Sequence, residues 1–140
     1  MAFQISELES QDYESFSSLF RQLANTRSFS RDKFETTLRH NAKSGSCLFA
    51  AKGSNGQVLG TAKICVIETF GSPKAYLEDL VVDQEWRLKG VGSALIRHVV
   101  EEARRRGCYT CNVVTYDDLV GFYERYGFRK DREILRIELR

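Results

Sequence analysis

Proline occurs once in this chain, tryptophan once and histidine twice. There is no internal repeat and no low-complexity linker, so the 140 residues are read as one domain, 1–140. No apolar run approaches the roughly 20 residues that would cross a bilayer, which argues against a membrane partner. The N-terminus also lacks the charged start and apolar stretch of a secretory signal, so a cytoplasmic location is expected. Excess charge is missing too. The 21 basic residues stand against 19 acidic ones, a balance that gives no ground for nucleic-acid binding. His40 and His98 have no paired spacing and lie far from the Cys108-x-x-Cys111 pair, so no metal site is expected. Cys47, Cys65, Cys108 and Cys111 sit in apolar surroundings and are read as reduced structural thiols. No cysteine or serine has an evident histidine base, which disfavours a covalent mechanism.

What the chain does have is a clear succession of patterns. Residues 2–8 alternate apolar and polar, as a first strand would. Tyr13, Phe16, Leu19, Phe20 and Leu23 recur at three- and four-residue spacing, predicting a helix over residues 10–24. A second helix is expected after Ser30, a suitable N-cap, ending at Gly45. Residues 46–52 and 57–68 read as a hairpin around Ser54-Asn55-Gly56. A strand over 75–83 leads into a helix from 91 to 106. A strand over 109–115, a short helix over 118–126 and a final strand over 132–139 complete the chain. The order β-α-α-β-β-β-α-β-α-β predicts an α+β fold, a mixed central sheet with helices on both faces. The strands at 75–83 and 109–115 are expected to run parallel through a right-handed crossover.

The most telling stretch is Arg87-Leu88-Lys89-Gly90-Val91-Gly92. It follows a strand and opens the longest helix, the place where unpaired N–H groups and the helix dipole attract anions. Glycines 90 and 92 allow an anionic group to approach the backbone. Further on, Gly121-Phe122-Tyr123-Glu124-Arg125-Tyr126-Gly127-Phe128 supplies an aromatic cluster next to two glycines.

On these two motifs the chain resembles the GNAT superfamily of N-acetyltransferases. Arg87 to Gly92 fits the family's Gln/Arg-x-x-Gly-x-Gly/Ala loop, and Phe122 to Phe128 fits its Phe-Tyr-x-x-x-Gly-Phe segment. Within the superfamily, Leu77-Glu78-Asp79-Leu80-Val81-Val82 and Gly107-Cys108-Tyr109 resemble segments of the glucosamine 6-phosphate N-acetyltransferases. Leu119 stands where the family usually has Asn, and the loop before Glu78 is shorter than in those enzymes.

The resemblance implies acetyl-CoA as co-substrate, with Arg87, Leu88, Lys89, Gly90, Val91, Gly92 and Ser93 cradling its pyrophosphate. It implies that backbone N–H groups at Leu80, Val81 and Val82 polarise the thioester. Tyr123 would protonate the leaving thiolate. Glu78 and Asp79 would bind the acceptor amine or take its proton. Their adjacency on a strand puts them on opposite faces unless a bulge re-aims one. Lys74 would contact a substrate phosphate. The implied reaction is direct attack by a small amine in a ternary complex, with glucosamine 6-phosphate the leading acceptor. A polyamine, an aminoglycoside or a peptide N-terminus is the alternative, and a non-catalytic acyl-CoA-binding module a third reading. Ile134, Leu135, Ile137 and Leu139 alternate with charged residues at the chain end. An edge strand there would pair two subunits into a homodimer, as in the resembled enzymes.

Overall fold

The computed structural model describes residues 2–22 and 28–140. In chain order the elements are β1 (Phe3–Glu7), α1 (Tyr13–Phe20), α2 (Arg31–Lys43), β2 (Cys47–Gly53), β3 (Val58–Ile67), β4 (Lys74–Val82), α3 (Val91–Arg105), β5 (Cys111–Val113) and α4 (Val120–Glu124). Single turns of 3-10 helix precede α1, α3 and α4. The first helix is shorter than its apolar spacing predicts, and Leu23 and Ala24 lie outside the described residues. Helix α2 begins where its cap signal places it: Ser30 Oγ accepts from the Lys33 N–H at 3.0 Å.

The five strands lie in the order β1-β2-β3-β4-β5. All neighbours are antiparallel except β4 and β5, which are parallel as the crossover through α3 requires. Strand alternation sends side chains to two helical layers. Phe49, Ala51, Ala62, Ile64 and Leu77 meet Val91, Leu95, Ile96 and Val99 of α3. On the other face Ala50, Val58 and Val81 meet Phe16, Leu19 and Phe34 of the first two helices. Gly60 sits where β3 passes under the start of α3. A Cβ there would stand 2.9 Å from Val81 O and 2.9 Å from Val91 Cγ1, so only glycine lets the helix come this close.

Strand β4 changes character partway along. Lys63 pairs with Glu78 and Thr61 with Val81, so Asp79 and Leu80 together face the single residue Ala62. This is a β-bulge, and Asp79 takes the left-handed backbone (φ 52°) that the extra residue demands. The set of β4 residues on the α3 face shifts accordingly, from odd positions (Ala75, Leu77) to even ones (Leu80, Val82). Pairing with β5 covers only Ala75, Tyr76 and Leu77. From Glu78 onward that side of β4 has no strand beside it among the described residues.

Two expectations are corrected here. The strand expected over 109–115 is confined to Cys111–Val113, because β4 turns away at the bulge and leaves nothing to pair with. The final strand over 132–139 is not formed: residues 129–140 make no ladder and are exposed throughout. A strand needs a partner for its N–H and C=O groups, and within the single chain this segment has none.

Candidate active site

The end of β4, the turn after it and the start of α3 form one continuous surface. Gly90, at φ 87°, is the N-cap of α3 and provides no side-chain hydrogen bond to it. The first helical bond is the Ala94 N–H donating to Gly90 O at 3.0 Å. The N–H groups of Val91, Gly92 and Ser93 therefore lack the side-chain partner that Ser30 gives α2. No acidic residue lies in the first turn of α3, so the positive end of its dipole is uncompensated. Glycine at position 90 leaves open space where a Cβ would point. Donor set, dipole and clearance all suit a phosphate oxygen.

The residues before Gly90 reinforce this turn. Arg87 Nε donates to Val82 O at 3.3 Å, folding the turn back on the end of the strand. Leu88 carries a left-handed backbone (φ 62°) and a wholly exposed side chain, two unfavourable choices for a leucine. Lys89 Nζ lies 5.2 Å from the centre of the Trp86 ring, a cation–π contact that holds it beside the turn. Ser93 is partly buried at the third helical position.

Beside the turn lies the unpaired stretch of β4. Glu78 and Asp79 are exposed, Leu80 and Val82 are half-buried on the α3 side, and Val81 is buried on the opposite side. The bulge breaks the alternation of the adjacent carboxylates, since Asp79 at φ 52° no longer follows the strand's up-and-down pattern. Lys74 is not brought to this place. It opens β4, five residues before Asp79, or about 17 Å along an extended strand.

Tyr123, on α4, is buried in the same cluster as Val91 and Leu95, with Leu80 and Val82 packed against that cluster. Phe122 and Phe128 hold its ring edge-on, with centroids 5.1 and 5.8 Å away. Burial pushes its phenol above the ordinary tyrosine value, so it keeps its proton throughout the neutral range. Arg97 of α3 lies over the Tyr126 ring at 5.7 Å, and Tyr126 touches Phe122, which gives Tyr126 a packing role. Burial and Glu7 push the Cys47 thiol up to about 12, and burial pushes that of Cys111 up to about 11.

One pair of residues escaped the sequence reading. Gln22, just past α1, donates from Nε2 to Asp83 Oδ2 at 3.0 Å and accepts at Oε1 from the Gln84 N–H at 3.0 Å. No local pattern announces a contact between residues 61 positions apart.

Comparison with known proteins agrees with this geometry. Residues 4–128 match the acetyltransferase (GNAT) family. Glucosamine 6-phosphate N-acetyltransferase 1 of Oryza sativa subsp. japonica is 30% identical over 134 residues, covering 91% of this chain and 81% of that protein. The glucosamine 6-phosphate N-acetyltransferase of Trypanosoma brucei brucei is 33% identical over 87 residues, 60% of this chain and 59% of that protein. The crystal structure of glucosamine-6-phosphate N-acetyltransferase from Arabidopsis thaliana superposes with a TM-score of 0.91 at 21% identity, covering 100% of both chains. An uncapped, glycine-opened helix beside a bulged strand thus coincides with a family match over most of the sequence, and the chain belongs to the acetyltransferase (GNAT) family.

Proposed function

We propose that this acetyltransferase moves the acetyl group of acetyl-CoA to the amine of glucosamine 6-phosphate. The observation that carries the cofactor part is the uncapped N-terminus of α3, opening beside the strand edge that the bulge leaves free. The sugar phosphate reading rests on the two relatives that carry that name. Enzymes of the GNAT family use acetyl-CoA, and its thioester supplies the electrophilic carbonyl.

In this reading the N–H groups of Val91, Gly92 and Ser93 receive the pyrophosphate, with Arg87, Leu88, Lys89 and Gly90 shaping the turn. The backbone at Leu80, Val81 and Val82 lies along the free edge, and an N–H aimed from there at the thioester oxygen stabilises the charge developing on it. The acceptor attacks as a neutral amine. Glu78 and Asp79 attract its ammonium form and accept the displaced proton, directly or through water. Tyr123 holds a proton at neutral pH and gives it to the thiolate as the carbon–sulfur bond breaks. The apolar surroundings that raise the phenol also raise a thiolate beside it, so the transfer is not made uphill by burial alone. Lys74 is too far along β4 to touch the reacting amine, and its role is confined to a remote group of the acceptor such as the phosphate.

Residues 129–140 are proposed to pair with a second copy. Ile134, Leu135, Ile137 and Leu139 are all exposed in the single chain, a cost that strand pairing in a homodimer removes. Sedimentation equilibrium is expected to give twice the chain mass, and deletion of residues 130–140 to give the monomer. A full-length monomer at micromolar concentration would sink the dimer.

Gly92→Asp puts a carboxylate where the pyrophosphate would lie. The nearest atom to the new Cβ is Val82 Cγ2 at 3.5 Å, ordinary contact, and an acidic residue in a first helical turn is favourable. Calorimetry should show coenzyme A affinity falling by about tenfold or more with the melting temperature unchanged or higher. Retained affinity would move the cofactor elsewhere.

Tyr123→Phe is expected to lower kcat by about a hundredfold while changing KM by less than about twofold. An unaltered kcat removes Tyr123 from the acid role.

Release of free coenzyme A should be fastest with glucosamine 6-phosphate when it is assayed beside glucosamine, spermidine and an aminoglycoside. Turnover of another amine alone keeps the acetyltransferase and discards the sugar. Tight coenzyme A binding without turnover of any amine favours a non-catalytic acyl-CoA-binding module.

A further inference from the structure

The turn that opens α3 has little packing of its own. Arg87, Leu88, Lys89 and Gly90 are all exposed, and Leu88 is in the left-handed region. Trp86 packs against the core before these four residues and Val91 is buried after them, and the remaining anchor is polar and lies just upstream. The Asp83 N–H donates to Leu59 O at 2.8 Å, tying the residue to β3. Asp83 Oδ1 accepts from the Glu85 N–H at 2.9 Å, and the Trp86 N–H donates to Asp83 O at 2.9 Å, closing a single helical turn. The second carboxylate oxygen, Oδ2, is taken by Gln22 Nε2, and the next N–H along the chain, that of Gln84, goes to Gln22 Oε1.

Gln22 comes from the other side of the sheet. It follows α1, whose apolar residues pack with Val58 and Val81, whereas the turn it holds leads into α3 on the opposite face. Its own backbone is fixed: the Gln22 N–H donates to Leu19 O at 3.0 Å, and Leu19 is fully buried. A glutamine suits this place for a chemical reason. Asp83 offers only acceptors and the Gln84 N–H only a donor. One planar amide supplies the complementary donor and acceptor together. Glutamate would set two carboxylates against each other, and lysine would leave the Gln84 N–H without an acceptor.

We infer that Gln22 is a positioning residue for the cofactor. Its amide clamps Asp83 and Gln84, and through them holds the turn Arg87–Gly92 ready for a pyrophosphate. The inference rests on the reading of that turn given under the proposed function. Arg87 to Gly90, exposed between Trp86 and Val91, sample more states once the clamp is cut, and binding then has to supply the lost order. The loss belongs to cofactor affinity and not to the chemical step.

The test measures coenzyme A affinity by calorimetry, KM for acetyl-CoA and for the amine, and melting temperature. Gln22→Ala should weaken coenzyme A binding by about five- to tenfold, the scale of one or two hydrogen bonds. KM for acetyl-CoA should rise in step, with kcat and the amine KM within about twofold. Gln22→Glu should weaken binding at least as much. Adding Asp83→Asn should restore it to within about twofold: Asn Nδ2 then donates to the glutamate, while its Oδ1 still accepts from the Glu85 N–H. A melting temperature that falls with no change in affinity would reduce Gln22 to a staple for α1 and overturn the proposal, as would failure of the double variant to recover. Gly92→Asp measured alongside separates the two readings. If it loses coenzyme A while Gln22→Ala does not, the turn is the cofactor site and the clamp is wrong. If neither variant loses affinity, or only the glutamine variant does, the turn itself has been misread and the clamp falls with it.

Discussion

The extra residue in β4 is the constraint on which the rest of the site depends. Placing Asp79 and Leu80 opposite Ala62 forces Asp79 to a positive φ and changes which side chains face α3. Non-glycine residues in that region cost on the order of 1 kcal/mol, and such a cost persists where the surroundings over-determine the conformation. Here they do. The antiparallel ladder with β3 holds both sides of the bulge, and Leu77 before it and Val81 after it are buried in opposite layers. The strand has no way to slip back into register without exposing one of them. Because β4 bends at that point, β5 stays paired for three residues only, and an edge is left open inside the molecule.

The same corner contains a second departure from ordinary stabilisation. Helix α2 is capped by a serine hydroxyl and carries Asp32 in its first turn, whereas α3, the longest helix, has neither a side-chain cap nor an acidic residue there. With glycine at the N-cap position the lost side-chain bond costs only about a few tenths of a kcal/mol. Leu88 adds backbone strain and an apolar side chain in water. Stability is supplied elsewhere, by Leu95, Ile96 and Val99 of α3 buried against the sheet and by the ion pair of Asp12 with Lys52 on the other side. An anion bound at the start of α3 would satisfy the groups that the chain itself leaves unpaired. Tyr123 completes the corner by a different route, since Phe122 and Phe128 together with the α3 core cluster bury its ring and hold its phenol protonated.

The parts of this architecture that depend on nearby residues could be read directly. Ser30 caps α2 through a residue three positions on, the Ser54-Asn55-Gly56 turn joins β2 to β3, and Gly90 takes the left-handed backbone of the anion turn. The parallel pairing of β4 with β5 also followed, because a strand, a helix and a strand in succession have essentially one handed solution. The bulge was harder. Leu77 to Val82 reads as an unbroken strand, and the extra residue is defined only by its count against β3. The terminal segment misled for the converse reason: Ile134 to Leu139 has the composition of a strand, but the chain provides no edge to complete one.

The sequence by itself determined the α+β arrangement with helices on both faces of a mixed sheet, the family and the turn from Arg87 to Gly92, because periodicity, capping and glycine conformations act over a few residues at a time. Tertiary structure alone decided where β4 breaks, how far Lys74 stands from the bulge and which residues meet across the end of the sheet. Those outcomes depend on groups tens of residues apart competing for the same ladder positions and hydrogen bonds. That competition is resolved only when the sheet and its two helical layers are assembled together.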